Sequence, residues 1–219
     1  MIDAVLFDWN NTLVQFTWDD DLVVFAHAAA LGRDDPEFTA RWREAVLGGV
    51  PKRPYSEILR ELGVEDTDAF IDAEHAVWRP AFGVLESAQA LLDSLRRRGI
   101  KTGIVANSWP DPGRVLREDV ESYGLASLLD VVVFSDDLGV SKPDPEIFLH
   151  ALRTIGVEPE AAMYVGDGLV NDVQGAARVG MTTVQALWFV ADQTLVGVEP
   201  DFMAFTPMDV LNAVRRVAL

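Results

Sequence analysis

Short, largely apolar runs recur between longer helical patterns, and this alternation constrains the fold of the 219-residue chain more than any other feature. Val5–Phe7, Thr102–Ala106, Val131–Phe134, Met163–Val165 and Thr183–Leu187 are compact and rich in Val and Ile, as buried parallel strands are. Strands that alternate with helices form βαβ units, so the expected fold class is α/β, a doubly wound parallel sheet with helices on both faces. Right-handed crossovers then bring the loops that follow the strands to one edge of the sheet, where ligands bind.

The helices are punctuated. Val84, Ala88, Leu91, Leu92 and Leu95 fall on one apolar face, Arg96–Arg98 suit the negative end of that helix dipole, and Gly99 stops it. Asp111-Pro112, Asp144-Pro145 and Thr206-Pro207 each read as a cap residue followed by the proline of a first turn. Gly124 and Gly156 stand where the first two of these helices end.

One stretch breaks the alternation. From Thr17 to Pro80 the pattern is helical throughout. Thr17 is expected to cap a first helix with Asp19, Asp20 and Asp21 in its first turn, and Gly32 ends it. Asp35-Pro36 opens a second, closed at Gly48-Gly49. Tyr55–Leu62 and Thr67–Trp78 form a third and a fourth. The expected organisation is a core domain of residues 1–16 and 81–219, interrupted by a helical domain of residues 17–80.

Composition narrows the function. Eighteen Lys plus Arg against 35 Asp plus Glu give a formal charge of −17, which repels phosphate backbones and anionic membranes, so neither nucleic acid nor membrane is an expected partner. The chain has no cysteine, hence no disulfide, thiolate metal site or Cys nucleophile. Asp3 stands where a signal peptide needs a basic region, and no apolar run approaches a membrane span, so a cytoplasmic location is expected. No heptad pattern fixes an oligomeric state, and monomer and homodimer both stay open.

Three segments fall at strand ends: Val5-Leu6-Phe7-Asp8-Trp9-Asn10-Asn11-Thr12-Leu13, Gly139-Val140-Ser141-Lys142-Pro143-Asp144-Pro145 and Tyr164-Val165-Gly166-Asp167-Gly168-Leu169-Val170-Asn171-Asp172. Asp8 and Asp167 are carboxylates just past buried strands, and carboxylates brought together need a proton or a cation between them. Mg2+ takes oxygen ligands, often one or two carboxylates with a substrate phosphate. Lys142, one of only three lysines, can neutralise a substrate oxyanion. Gly166 and Gly168 let the backbone come close.

In motif order, in the helical insert after the first strand, and in the KPDPEIF and GDGLVNDVQGAARVGM stretches, the chain resembles the haloacid dehalogenase-like (HAD) superfamily, in its phosphatase-like subfamily with a helical cap. The resemblance covers essentially the whole chain. It implies that Asp8 is the nucleophile, forming an aspartyl-phosphate. It implies an Mg2+ ion held by Asp8, the main-chain carbonyl of Asn10 and Asp167, with Asp172 in support. Lys142 would stabilise Asp8 and the transferring phosphoryl group, and the cap would close over a small phosphorylated substrate.

Two positions depart from the family. The usual second Asp, which protonates the leaving group, is Asn10 here, although its carbonyl survives for metal binding. Ala106 stands where the family has a Ser or Thr that bonds the phosphate, which leaves Asn107, Ser108 and Asn11 as candidate phosphate-binding residues. The leading expectation is an Mg2+-dependent phosphate-monoester hydrolase. A catalytically impaired binding or regulatory protein is the alternative from another class, and a 2-haloacid dehalogenase is a further one. A phosphonatase would need a Schiff-base lysine in the cap, where Lys52 is the only lysine.

Other residues have ordinary explanations. Asp144 is a helix cap, and His27, His75 and His150 lack a metal-ligand pattern. Asp136 and Asp137 are loop acids, one of which is placed to orient Lys142. Among Asp19–Asp21 one is a candidate source of the proton that Asn10 cannot supply. Trp9 and Trp18 are candidates to line a cleft between core and cap.

Overall fold

The computed structural model describes residues 1–17, 19–48, 53–190 and 197–217. Trp18, Gly49 and Lys52 therefore lie outside the described residues. Eight strands are present among them: β1 (Ala4–Phe7), β2 (Val14–Phe16), β3 (Phe82–Val84), β4 (Lys101–Ala106), β5 (Val131–Phe134), β6 (Ala162–Gly166), β7 (Thr182–Ala186) and β8 (Phe202–Ala204). The helices are α1 (Asp20–Leu31), α2 (Pro36–Leu47), α3 (Tyr55–Glu61), α4 (Thr67–Trp78), α5 (Ala88–Arg96), α6 (Gly113–Ser122), α7 (Ser135–Leu138), α8 (Pro145–Ile155), α9 (Gly175–Arg178) and α10 (Pro207–Val217). None is long and apolar enough to cross a membrane.

The chain divides into two compact units. The first, Met1–Gln15, Val84–Asn107 and Val120–Leu219, holds a six-stranded sheet in the order β5-β4-β1-β6-β7-β8 with every pair parallel. This is the doubly wound α/β architecture. From β1 the chain builds outward through β4 to β5, then returns to β6 on the other side, so strand order reverses beside β1. Right-handed crossovers moving in opposite directions put their helices on opposite faces. Helix α8 buries Ile147, Phe148, Ala151, Leu152 and Ile155 in a core shared with Leu6, Val105, Val133 and Tyr164. The apolar faces of α5 and α10, carrying Leu91, Leu92, Leu95, Val210 and Leu211, are likewise buried.

The second unit, Phe16–Gly83 and Ser108–Asp119, is helical. It takes in Ser108–Asp119, distant in sequence from the insert, because Val115 and Trp109 pack into its core and Arg114 pairs with Asp68 and Asp72. That core is aromatic around His27, whose ring meets Phe38, Trp42 and Phe70. A buried polar chain threads it. His27 Nδ1 is 2.9 Å from Thr39 Oγ1, Glu74 accepts from the Tyr55 hydroxyl, and Tyr55 accepts from Trp42 Nε1.

Four local expectations are corrected. The cap of α1 is Asp19, not Thr17, because its carboxylate accepts from the amides of Asp21 and Leu22. Val84 belongs to β3, and the helix begins four residues later at Ala88. At Thr206-Pro207 the capping acceptor is Asp209, which reaches back to the amides of Phe205 and Thr206. Asp136 and Asp137 lie on the short α7, not in a loop, and Asp137 accepts from the amide of Phe134 at its start.

Candidate active site

Because β1, β4 and β6 are parallel neighbours, the residues that follow them share one sheet edge, at the strand-order reversal where open α/β sheets bind ligands. Asp8 follows β1, Asn107 follows β4 and Asp167 follows β6. The Asp8 amide donates to the Val165 carbonyl at 2.9 Å, which continues the ladder one residue beyond the strand and fixes the start of the loop.

That loop turns at once. The Trp9 carbonyl accepts from the amides of Leu13 and Val14, both at 3.0 Å, and the Asn11 amide donates back to Val14 at 2.6 Å. These bonds use the carbonyl of Trp9 and the amide of Asn11, so the small bridge at Asn10 does not engage the Asn10 carbonyl. Asn11 adopts φ 56°, a left-handed conformation that Asn tolerates better than most residues, and its side chain donates to Asp167 Oδ2 at 3.4 Å. Trp9 is buried and stacks on Tyr123.

Asp172 arrives from a single π-helical turn, Leu169–Gln174. Its Oδ2 accepts from the Gly168 amide at 2.8 Å. A Cβ on Gly166 would lie 2.5 Å from Asp172 Cγ, so glycine is required there for the carboxylate to reach the sheet edge.

Lys142 ties these pieces together. Its Nζ donates to Asp8 Oδ1 at 2.7 Å, Asp172 Oδ1 at 2.6 Å and the Tyr164 hydroxyl at 2.8 Å, using all three of its hydrogens. Tyr164 in turn donates to the Val105 carbonyl at 2.6 Å. Asp8, Asp167 and Asp172 each offer an oxygen within 4.8 Å of the others.

The electrostatics follow from this crowding. Burial pushes the Asp8 carboxyl up to about 7, an effect that Lys142 opposes and that Asp172 and Asp167 reinforce. Burial and the Asp172 charge raise Asp167 to about 6, against the bond from Asn11. Burial works against the Lys142 charge, but Asp172 and Asp8 outweigh it and hold the ammonium above its ordinary value. Three carboxylates and one ammonium leave a formal −2, the charge that one divalent cation balances. The donor set is all oxygen, as a hard cation such as Mg2+ requires, so these residues fit that ion.

The structure thus brings Asp8, Lys142, Asp167, Asp172 and Asn11 together and sets Asn10 in the same loop. Ala106 is buried at the end of β4. The Asn107 side chain is bonded to the main chain of Lys142. It accepts from the Lys142 amide at 2.8 Å and donates to the Lys142 carbonyl at 3.2 Å. Ser108 opens the segment that belongs to the helical unit. Asp19 is a helix cap and Asp20 pairs with Arg43. His27 and His75 are buried within the helical unit, with polar partners there. Sequence reasoning missed Tyr164. The available signal was a hydroxyl inside a fully buried strand, which must find a partner.

The chain matches the haloacid dehalogenase-like hydrolase family over residues 2–180. It is 30% identical over 240 aligned residues to a glyceraldehyde 3-phosphate phosphatase of Methanopyrus kandleri, covering 100% of this chain and 99% of that one. A HAD phosphatase structure from Thermococcus onnurineus superposes with TM-score 0.76 at 26% identity, covering 97% and 98% of the two chains. A 2-haloacid dehalogenase structure from Pseudomonas syringae pv. Tomato DC3000 does so with TM-score 0.70 at 25% identity, covering 99% of each. The chain belongs to the haloacid dehalogenase-like hydrolase family.

Proposed function

We propose that this member of the family is an Mg2+-dependent phosphatase that acts on a small phosphorylated metabolite through a phosphoryl group carried on Asp8. The observation that carries the reading is the meeting of Asp8, Asp167 and Asp172 within 4.8 Å, with Lys142 bonded to two of them. The phosphatase names of the Methanopyrus and Thermococcus relatives support it.

Asp8 attacks phosphorus with a carboxylate oxygen, and the bond to the leaving group breaks. Water then attacks the phosphoryl group on Asp8 and releases phosphate and the free carboxylate. Lys142 fixes the orientation of Asp8 and presents positive charge where the phosphoryl oxygens gather. Tyr164 and Asn107 hold Lys142 from the side-chain and main-chain ends respectively. Asp8, Asp167 and the Asn10 carbonyl, with Asp172 behind them, would hold Mg2+, which when bound supplies charge that offsets the three carboxylates and the phosphate. Ser108, Asn11 and the main chain of Asn107 are the proposed phosphate contacts. The helical unit is the proposed cap, and the acidic, cysteine-free chain is read as a cytoplasmic monomer or homodimer.

Hydrolysis of p-nitrophenyl phosphate with and without Mg2+, beside Asp8→Asn, tests the reading. Expected are turnover that requires Mg2+ and its loss in Asp8→Asn. Activity unchanged by that substitution overturns the mechanism. Asn10 favours a second reading, a binding or regulatory protein on the same scaffold, which predicts measurable phosphate or Mg2+ binding without turnover of any substrate. Dehalogenation also uses an Asp nucleophile but makes no use of the carboxylate trio.

A further inference from the structure

We infer that the site is selective for phosphoryl donors whose leaving group departs without a proton, acyl phosphates first and activated aryl phosphates next, over alkyl phosphate monoesters. The inference rests on the phosphatase reading above and concerns the fate of the leaving group.

When Asp8 forms its bond to phosphorus, the bond from phosphorus to the leaving oxygen breaks and that oxygen keeps the electron pair. An alkoxide is about as basic as hydroxide, far too basic to persist at neutral pH, and must be protonated as it leaves. A carboxylate is the conjugate base of an acid with pKa about 4 and leaves unaided. The question is which side chain around Asp8 has a proton to give.

The titratable groups gathered there are all engaged. Lys142 directs its three hydrogens to Asp8, Asp172 and Tyr164. Tyr164, 1% exposed, donates its only hydrogen to the Val105 carbonyl. Asp172 accepts from Lys142 and from the Gly168 amide. Asp8 is the nucleophile, and Asp167 belongs to the cation site. Of the other polar side chains in the nucleophile loop, Asn11 and Thr12 carry no acidic group, and neither does Asn10, whose amide does not titrate. Its Oδ1 is buried and has no hydrogen-bond partner in the protein. An unpartnered acceptor beside Asp8 suits a water molecule, which it can orient by accepting one hydrogen but cannot deprotonate.

The steps balance without an acid. An acyl phosphate dianion and the Asp8 carboxylate give the aspartyl-phosphate dianion and a free carboxylate. Water then gives the Asp8 carboxylate and dihydrogen phosphate, so its two hydrogens leave on the product.

The test is a leaving-group series on the full chain with Mg2+: acetyl phosphate, p-nitrophenyl phosphate, phenyl phosphate and glycerol 1-phosphate, with wild type, Asn10→Asp, Asp21→Asn and Asp8→Asn. The expected result is a steep fall of kcat/KM with leaving-group pKa in the wild type. In Asn10→Asp the acyl-to-alkyl gap should narrow by about 10²-fold or more, the scale of general acid catalysis. Wild-type rates on glycerol 1-phosphate within about tenfold of acetyl phosphate, abolished in Asp8→Asn, overturn this inference and leave the phosphatase reading standing. Selective loss of alkyl turnover in Asp21→Asn overturns it too, by locating a proton donor in the helical unit. Acetyl phosphate turnover that survives Asp8→Asn overturns the phosphatase reading itself. If Asn10→Asp does not fold, the slope of the wild-type series decides.

Discussion

The side-chain amide of Asn107 holds the main chain of Lys142 from both sides, with Oδ1 accepting from the Lys142 amide at 2.8 Å and Nδ2 donating to the Lys142 carbonyl at 3.2 Å. The pair copies the two bonds that a neighbouring strand would make, in a loop that none of the described strands reaches. It anchors the backbone from which the ammonium extends to Asp8 and Asp172. In the proposed mechanism Asn107 is therefore a positioning residue. Asn107→Ala leaves a partly buried amide and carbonyl unpaired, which should cost about 1–3 kcal/mol in urea unfolding. Displacing Lys142 by even about 1 Å should lower kcat by about 10²-fold, with KM changed far less. A variant with wild-type kcat would show that Lys142 needs no such anchor.

Tyr164 acts at the other end of the same lysine. Tyr164→Phe removes one partner of Nζ and leaves the Val105 carbonyl, at the buried end of β4, without its hydroxyl donor. Each unpaired buried group costs about 1–3 kcal/mol, so loss of stability is expected. Lys142 retains both carboxylates, so the expected drop in kcat is smaller than in Asn107→Ala. Thermal melting and steady-state rates of the two variants side by side check this order.

Much of this arrangement is legible in the sequence, and the rest fails for identifiable reasons. The apolar runs give five of the six sheet strands because a strand buried on both faces carries few polar positions to disguise it, and the buried ones in β4 and β7, such as Thr102 and Thr183, carry no charge. β8 escapes because Phe202-Met203-Ala204 is a short edge strand with an exposed Met203. Val84 misleads because its spacing to Ala88 is helical although it lies in a strand. At the site, Asp8, Asp167, Asp172 and Lys142 stand out by residue type and by their place after strands. The roles of Asn107 and Tyr164 do not, since an amide and a buried hydroxyl take whatever partners the tertiary fold supplies. The joining of Ser108–Asp119 to the helical unit depends on ion pairs between residues about 40 apart, such as Arg114 with Asp68 and Asp72, and no local pattern announces them.

The glycines behind Asp172 make a graded prediction. A Cβ at Gly166 would meet Asp172 Cγ at 2.5 Å, whereas one at Gly168 would meet Asp172 Oδ2 at 3.0 Å. Gly166→Ala must push the carboxylate away from Lys142 and from Asp8 and Asp167. Gly168→Ala requires only a small shift. The Mg2+ concentration for half-maximal activity should rise by about tenfold or more in Gly166→Ala, the scale seen when groups supporting a metal site are lost, and by less in Gly168→Ala. Equal behaviour of the two variants would detach Asp172 from cation binding.

The helical unit carries a pH dependence of its own, centred on His75. Its Nε2 lies 2.8 Å from Asp119 Oδ2 and its Nδ1 3.5 Å from Asp111 Oδ1, while Arg79 Nε donates to Asp119 Oδ1 at 2.6 Å. Burial disfavours the charged ring, but the two carboxylates outweigh it and raise His75 from 6.5 to about 9. A group with a raised folded pKa contributes stability that is fully present below its unfolded value and is lost as pH rises through its folded value. The contribution here is complete below about pH 6.5, shrinks above it and is gone beyond about pH 9. Its size is of the order of 1–3 kcal/mol. Urea unfolding between pH 6 and pH 10 should therefore show stability falling across that window, and His75→Gln should be less stable than the wild type at pH 6 and converge towards it near pH 10. A constant gap between the two proteins over the whole range would mean that His75 is neutral in the folded chain. The test is independent of catalysis, because none of these residues belongs to the α/β unit that carries Asp8.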